Sequence, residues 1–174
     1  MAYWIPLLVI LLVIWLAYSV MSALWTSAYG APWVPTKLRT VRRMLALAQV
    51  RPGETVYDLG SGDGRVLIVA AREFGARAVG VELDPVRAGW ARLIVWGLGL
   101  RGKVTVRTGN FFTEDVRAAD VVVCYLRTST NRRLAEKLTE ELRPGARVVS
   151  HAFPFPDWDL AGEDLDHRVY LYRV

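Results

Sequence analysis

With 174 residues the chain has room for one catalytic domain of ordinary size, and 53% apolar against 22% charged residues excludes a disordered or low-complexity protein. The formal charge of +5 suits an anionic surface, but Lys and Arg are scattered along the chain instead of forming a block, so no nucleic-acid partner is expected. Cys124 is the single cysteine, which excludes an internal disulfide and a zinc site of paired thiols; no metal is expected, and a reducing compartment fits.

Residues 1–36 hold no charged side chain, and Trp4 to Leu24 is a nearly unbroken apolar run of 21 residues. That length crosses a hydrocarbon core of about 30 Å as a helix. Trp4 at one end and Trp25, Tyr29 and Trp33 beyond the other stand where interfacial aromatic belts sit. A cleaved signal peptide is the alternative, but the segment lacks a basic start and a small-residue cleavage signal, which favours an anchor. Lys37, Arg39, Arg42 and Arg43 follow the run, so the rest of the chain is expected on the cytoplasmic side of a single span.

Residues 25–35 contain one Gly and two Pro and read as an extended linker, with Thr36 as the cap of an amphipathic helix from Lys37 to Gln49. Short apolar strands then alternate with helical stretches, the pattern of βα units on a parallel sheet. Thr55–Leu59 is the first strand, Arg65–Phe74 the helix after it, and Ala78–Glu82 the second strand. Asp84-Pro85 reads as a cap with Pro at the first helical position, opening a helix to about Leu98. Strands are expected at Val104–Thr108, Val121–Leu126 and Arg147–Phe153, with a helix over Asn131–Leu142. Arg168–Val174 alternates strictly and reads as a closing antiparallel edge strand.

Chemistry concentrates in Val56-Tyr-Asp-Leu-Gly-Ser-Gly-Asp-Gly-Arg65, a strand entering a glycine-rich turn and then a helix. Gly60, Gly62 and Gly64 allow positive φ and close ligand approach, and the helix N-terminus behind them offers N–H groups to an anionic group. The third glycine comes one residue early for a dinucleotide fingerprint, and Arg65 fills the sixth position, which argues against a nicotinamide enzyme. Glu82 ends the second strand 22 residues after Gly60, where a carboxylate accepts ribose hydroxyls. Asn110, after the third strand, is placed for an adenine edge with Phe111 or Phe112 to stack; a turn residue and core rings are the even alternative.

These residues resemble class I S-adenosylmethionine-dependent methyltransferases. Pro32-Trp-Val-Pro-Thr36, Val41-Arg-Arg-Met44, Val148-Val-Ser-His-Ala-Phe153 and Val169-Tyr-Leu-Tyr172 are similar to archaeal broad-specificity protein lysine methyltransferases. Phe153-Pro-Phe-Pro-Asp-Trp158 and the N-terminal run are similar to mitochondrial membrane-anchored lysine methyltransferases of the ATP synthase c-subunit type. The resemblance implies a Rossmann-like α/β fold with a mostly parallel sheet, preceded by one transmembrane helix. It implies an anchor and linker over residues 1–30 and a methyltransferase domain over 31–174. S-adenosyl-L-methionine would be held by Asp58, Gly60, Ser61, Gly62, Gly64, Glu82, Asn110 and Phe111, and the acceptor would be a protein lysine. The stretch Leu160–His167 is short beside those relatives, so the sixth strand is expected to be vestigial.

Methyl transfer from a sulfonium needs alignment and a neutral amine, not a metal or a nucleophilic side chain. Tyr125, at the end of the fourth strand, is the first candidate for orienting that amine, with half-buried packing as its equal alternative. His151 has the form of a base, though a histidine within a strand is more often a satisfied core residue. Phe153, Phe155 and Trp158 are candidate walls of a lysine channel, with core packing as the competing account. The fourth strand is followed by no Asn/Asp-Pro-Pro-aromatic sequence, which argues against DNA base methylation. A lipid or small-molecule N- or O-methyltransferase remains the alternative, favoured by the anchor and the apolar helix Val86 to Leu98; a non-catalytic cofactor-binding scaffold is the third reading.

Overall fold

The computed structural model describes the backbone of residues 4–29 and 34–174 and the side chains of 4–22 and 34–174. The chain divides into two compact units, Met1–Val34 and Pro35–Val174. The described residues of the first include one helix, α1, over Trp4–Tyr29. Its stretch Trp4–Ser22 is long and apolar enough to cross a membrane, and its large apolar side chains from Trp4 to Met21 are exposed on every face. Ser19 returns its hydroxyl to the Trp15 carbonyl at 2.7 Å, so this polar group is satisfied within the helix. The linker expected from residue 25 is corrected over Trp25–Tyr29, which stay helical because no breaker precedes Gly30. Residues 30–33 of that linker lie outside the described residues.

The second unit opens with α2, Leu38–Leu47, whose Val41, Met44 and Leu45 are buried. Thr36 does not cap it. The N-cap is Lys37, without a side-chain bond, because Thr36 is drawn to the opposite task described below. There follow β1 (Thr55–Leu59), α3 (Arg65–Glu73), β2 (Arg77–Glu82), α4 (Pro85–Gly97), β3 (Val104–Thr108) and β4 (Val121–Cys124). The chain ends with α5 (Thr128–Glu141), β5 (Arg147–His151), β6 (Gly162–Asp164) and β7 (Val169–Arg173). The Asp84 cap forms as its sequence requires, accepting from the N–H groups of Val86 and Arg87.

Seven strands form one sheet in the order β3-β2-β1-β4-β5-β7-β6. All pairings from β3 to β5 are parallel, and β7 runs antiparallel to β5 and β6. The β4 residues Val121, Val122, Val123 and Cys124 are all buried, as befits a central strand covered on both faces. The antiparallel β7 is flanked on its outer side by β6, an edge strand of three residues in the stretch Leu160–His167 where a vestigial strand was expected. The order reverses between β2-β1 and β4, so the carboxyl ends of β1 and β4 flank the crevice where open α/β sheets take their ligands.

Two strand ends differ from expectation. β4 stops at Cys124 and β5 at His151, each two residues early. The backbone of Ala152 turns to φ +65°, which no strand accommodates, and α5 begins at Thr128 once Arg127 is extended.

Candidate active site

The turn from β1 into α3 is built on positive φ at Gly60 (+93°), Gly62 (+54°) and Gly64 (+80°). The amides of Gly60 and Ser61 both donate to the Val81 carbonyl of β2, at 2.9 and 3.1 Å, and Gly62 N–H donates to Glu82 Oε2 at 2.8 Å. A Cβ at Gly64 would stand 3.3 Å from that of Ala91, so this glycine also lets α4 approach the loop. Gly80 on β2 was not singled out in the sequence, yet it has no room for a side chain: a Cβ there would lie 2.5 Å from Leu67 Cδ1 and 2.7 Å from Ser61 Cβ.

Glu82 is buried with more partners than its expected role supplies. Oε1 accepts from Asp84 N–H at 3.0 Å and Arg87 Nη1 at 3.1 Å, while Oε2 holds Gly62. The residue therefore organises the glycine loop itself, and a ribose diol placed on it would share a carboxylate with about four acceptor positions, three of them in use. Asp58 is also buried, and desolvation, then the neighbouring Glu82 and Asp63 charges, pushes its carboxyl up to about 8. Three acids thus surround one turn, Asp63 paired with Arg65 and Glu82 with Arg87, and the raised Asp58 is the carboxyl that a cationic ligand would ionise. Ser61 Oγ is buried without a hydrogen-bond partner among the described residues. The glycine cradle, the orphan hydroxyl and the acidic surroundings fit a small zwitterion that carries a sulfonium.

After β3, Asn110 Oδ1 accepts Phe112 N–H at 3.0 Å, forming a turn, so its oxygen is committed locally. Phe111 is buried, with its ring 4.7 Å from that of Phe112, and the Arg133 guanidinium lies 4.5 Å from the Phe112 ring centre. Phe112 is half-buried where Phe111 is enclosed.

At the carboxyl ends of β4 and β5, the register Cys124↔Ser150 makes Tyr125 and His151 neighbours. Their rings are 4.2 Å apart, and the Phe153 ring is stacked 6.1 Å from Tyr125; all three are half-buried. His151 Nδ1 lies 3.5 Å from Thr36 Oγ1, and Arg65, bonded to Asp63, donates to the Thr36 carbonyl at 2.6 Å. Burial, then Arg168, brings the imidazole down to about 4. A neutral imidazole with so low a value is a poor acceptor for an alkylammonium proton, and its contacts with Thr36 and Tyr125 are those of a hydrogen-bonding and packing group.

The turn carrying Phe153 is held by residues the sequence did not reveal. Asn131, wholly buried on α5, donates to the Phe153 carbonyl at 2.8 Å, and Ser150 Oγ donates to the same oxygen at 2.5 Å. Asn131 had been visible only as a helix-start residue, with nothing to indicate burial. Phe155 packs into the core, whereas Trp158 stays half-buried: their rings stack at 4.7 Å, Tyr172 meets both edge-on, and Phe155 N–H donates to the Tyr172 hydroxyl at 3.0 Å. With Phe155 only 2% exposed, its ring has no face left for a ligand. Cys124 is buried and its thiol pushed up to about 12, which makes it inert. Among the described residues no cluster of metal-ligating side chains occurs.

Comparison with known proteins agrees with this geometry. The family model of the ANTKMT methyltransferase domain matches residues 58–161. A protein-lysine N-methyltransferase of Saccharolobus islandicus (strain REY15A) is 44% identical, the match covering 82% of this chain and 93% of that one. The adenine nucleotide translocase lysine N-methyltransferase of Mus musculus is 41% identical over 82% of this chain and 63% of its own length. A crystal structure described as an RNA methyltransferase from Salinibacter ruber in complex with S-adenosyl-L-homocysteine is 43% identical, with a TM-score of 0.79, covering 81% of this chain and 94% of that one. The resemblance read from the glycine turn and its flanking motifs is thereby borne out. With the strand order, the acidic glycine cradle and these relatives in agreement, the chain belongs to the ANTKMT methyltransferase domain family and is an S-adenosylmethionine-dependent methyltransferase of class I fold.

Proposed function

We propose that the chain methylates the side-chain amine of a lysine in a membrane-associated protein, with residues 1–30 as a single-pass anchor and 31–174 as the catalytic domain on the cytoplasmic side. The observation that carries the acceptor assignment is the half-buried group of Tyr125, His151 and Phe153 at the ends of β4 and β5, beside the glycine turn. Relatives named for protein lysine methylation support the same choice. The exposed apolar α1 and the basic residues Lys37, Arg39, Arg42 and Arg43 after it support the anchor and its orientation.

When bound, S-adenosylmethionine supplies an electrophilic methyl group for in-line transfer to a nitrogen lone pair. The residues proposed to hold it are Asp58 with the turn Gly60, Ser61, Gly62 and Gly64, then Glu82, Asn110 and Phe111, with Phe112 as the more open ring. Glu82 offers acceptors, Asp58 offers a carboxyl that a cationic ligand would ionise, and the side-chain N–H₂ of Asn110 is the part left for an adenine edge. Tyr125 and Phe153 present ring faces that exclude water and favour the neutral amine by desolvation. The Tyr125 hydroxyl is the group proposed to orient the nitrogen, and His151 fixes the Tyr125 ring at 4.2 Å.

The test is to incubate the full-length protein with isotopically labelled cofactor and native membranes, then to follow the label. Recovery on lysine side chains supports the reading. Label confined to lipid headgroups, or to RNA, replaces it.

A further inference from the structure

α4 is apolar on two opposite faces. Ala88, Ala91 and Val95 are buried against the sheet, whereas Val86, Trp90, Leu93 and Trp96 form the outward stripe and are each more than half exposed. The spacing of four, three and three residues keeps these side chains on one side of the helix. Two tryptophans and two aliphatic residues on a free face exceed the scattered single exposures normal for a soluble surface.

Between Asp84 and Glu114, the latter paired with Arg107, the chain carries one sign of charge. Residues 85–113 contain Arg87, Arg92, Arg101, Lys103 and Arg107 and no Asp or Glu. Arg87 and Arg92 are engaged inward, on Glu82 and on the Val106 carbonyl. Arg101, by contrast, lies 5.1 Å from the Trp96 ring centre, and it and Lys103 are exposed at the end of the helix. An amphipathic stripe of Trp and Leu ending in exposed cations matches the composition of helices that lie in the headgroup region of an anionic bilayer.

Chain length adds a reason. Only residues 30–37 separate α1 from α2, a reach of roughly 26 Å when fully extended. If α1 spans a bilayer, the second unit stays within that distance of its surface, where a weak interfacial contact suffices. We propose that the outward face of α4 is a membrane foot, seating Trp90, Leu93 and Trp96 among anionic headgroups. The inference rests on the membrane reading above.

The test uses the full chain reconstituted into vesicles of phosphatidylcholine and phosphatidylglycerol, with a spin label on Leu93→Cys, Val13→Cys or Leu165→Cys. The native Cys124 is buried and protonated and stays unlabelled. Val13 reports on the span, and the exposed Leu165 on a water-facing site. The foot predicts that oxygen relaxes the label at 93 more strongly than an aqueous nickel complex does, the reverse of the label at 165. A label at 93 that behaves like the one at 165 overturns the foot; Val13 then shows whether the span fails with it or stands alone. A lipid-like response at 93 with a water-like response at 13 supports the foot and overturns the span. Shielding at 93 from both reagents means that protein covers the face, and also overturns the foot.

Discussion

Arg65 reaches from the glycine turn to the Thr36 carbonyl at 2.6 Å while its other nitrogens hold Asp63. Thr36 in turn lies against His151. One guanidinium therefore links the segment before α2, the glycine turn and, through Thr36, His151.

Arg65→Met should loosen all three at once. Loss of hydrogen bonds to a charged donor costs about 1.5–3 kcal/mol, and the acceptor KM should rise along with a fall in unfolding free energy. Arg65→Lys should recover little, because an ammonium cannot hold Asp63 in a fork and reach Thr36 together. Urea unfolding and steady-state kinetics of both variants check this, and a lysine variant equal to wild type would remove the clasp.

Asp58 gives a pH prediction. Its carboxyl is raised from the usual range to about 8, so the folded state holds the proton more tightly than the unfolded chain. The resulting destabilisation is absent below about 4, grows as pH rises and is complete above about 8. Asp58→Asn should abolish that slope and be more stable than wild type in alkaline solution. A cationic ligand favours the ionised carboxylate, so cofactor binding near neutrality should release a proton in wild type and not in the variant. Calorimetry in two buffers of different ionisation enthalpy measures the release.

Gly80→Ala tests the least visible part of the site. The new Cβ would meet the far end of Leu67, which can move, and Ser61 Cβ, which cannot move without the cofactor turn. Overpacking of this kind costs about 1–3 kcal/mol, and cofactor affinity should fall with it. Adding Ser61→Gly should restore part of the stability. No recovery in the double variant would mean that Leu67 alone carries the clash.

The sequence disclosed the turn, the acids and most strands because each is a local pattern. Glycines at 60, 62 and 64 and the alternation of β7 need only neighbours in the chain to be recognised. Gly80 looked like any strand glycine, since what forbids a side chain there comes from Ser61 in the turn after β1 and Leu67 on α3. Asn131 and Ser150 were hidden for the same reason: their meeting at the Phe153 carbonyl is made by the fold. Phe155 is the opposite case. An aromatic-rich segment near the site suggests a channel, but Tyr172, far along the chain, takes Phe155 into the core. Spacing singles out Glu82, whereas its bonds to Gly62, Asp84 and Arg87 are made by the fold.

The acceptor side yields the final prediction, which separates orientation from proton transfer. His151 is held at about 4 by burial and by Arg168, so the imidazole is neutral throughout the range in which a lysine is methylated. Its lowered value means that the folded state loses stability as pH falls from about 6.5 through about 4, where the unfolded chain binds the proton more readily. His151→Asn should remove that acid sensitivity. It should also lower kcat by loosening Tyr125, yet leave the pH dependence of kcat/KM between neutrality and pH 9 unchanged, because the group does not titrate there. Tyr125→Phe keeps the ring and deletes the hydroxyl; a hydrogen bond made to the amine only in the transition state is worth about 0.5–1.5 kcal/mol, or roughly a twofold to tenfold fall in kcat. Kinetics over pH for both variants decide between the roles. A pH profile in which a limb of wild type disappears in His151→Asn would make the histidine a base after all, whereas an unchanged kcat in Tyr125→Phe would return that residue to packing.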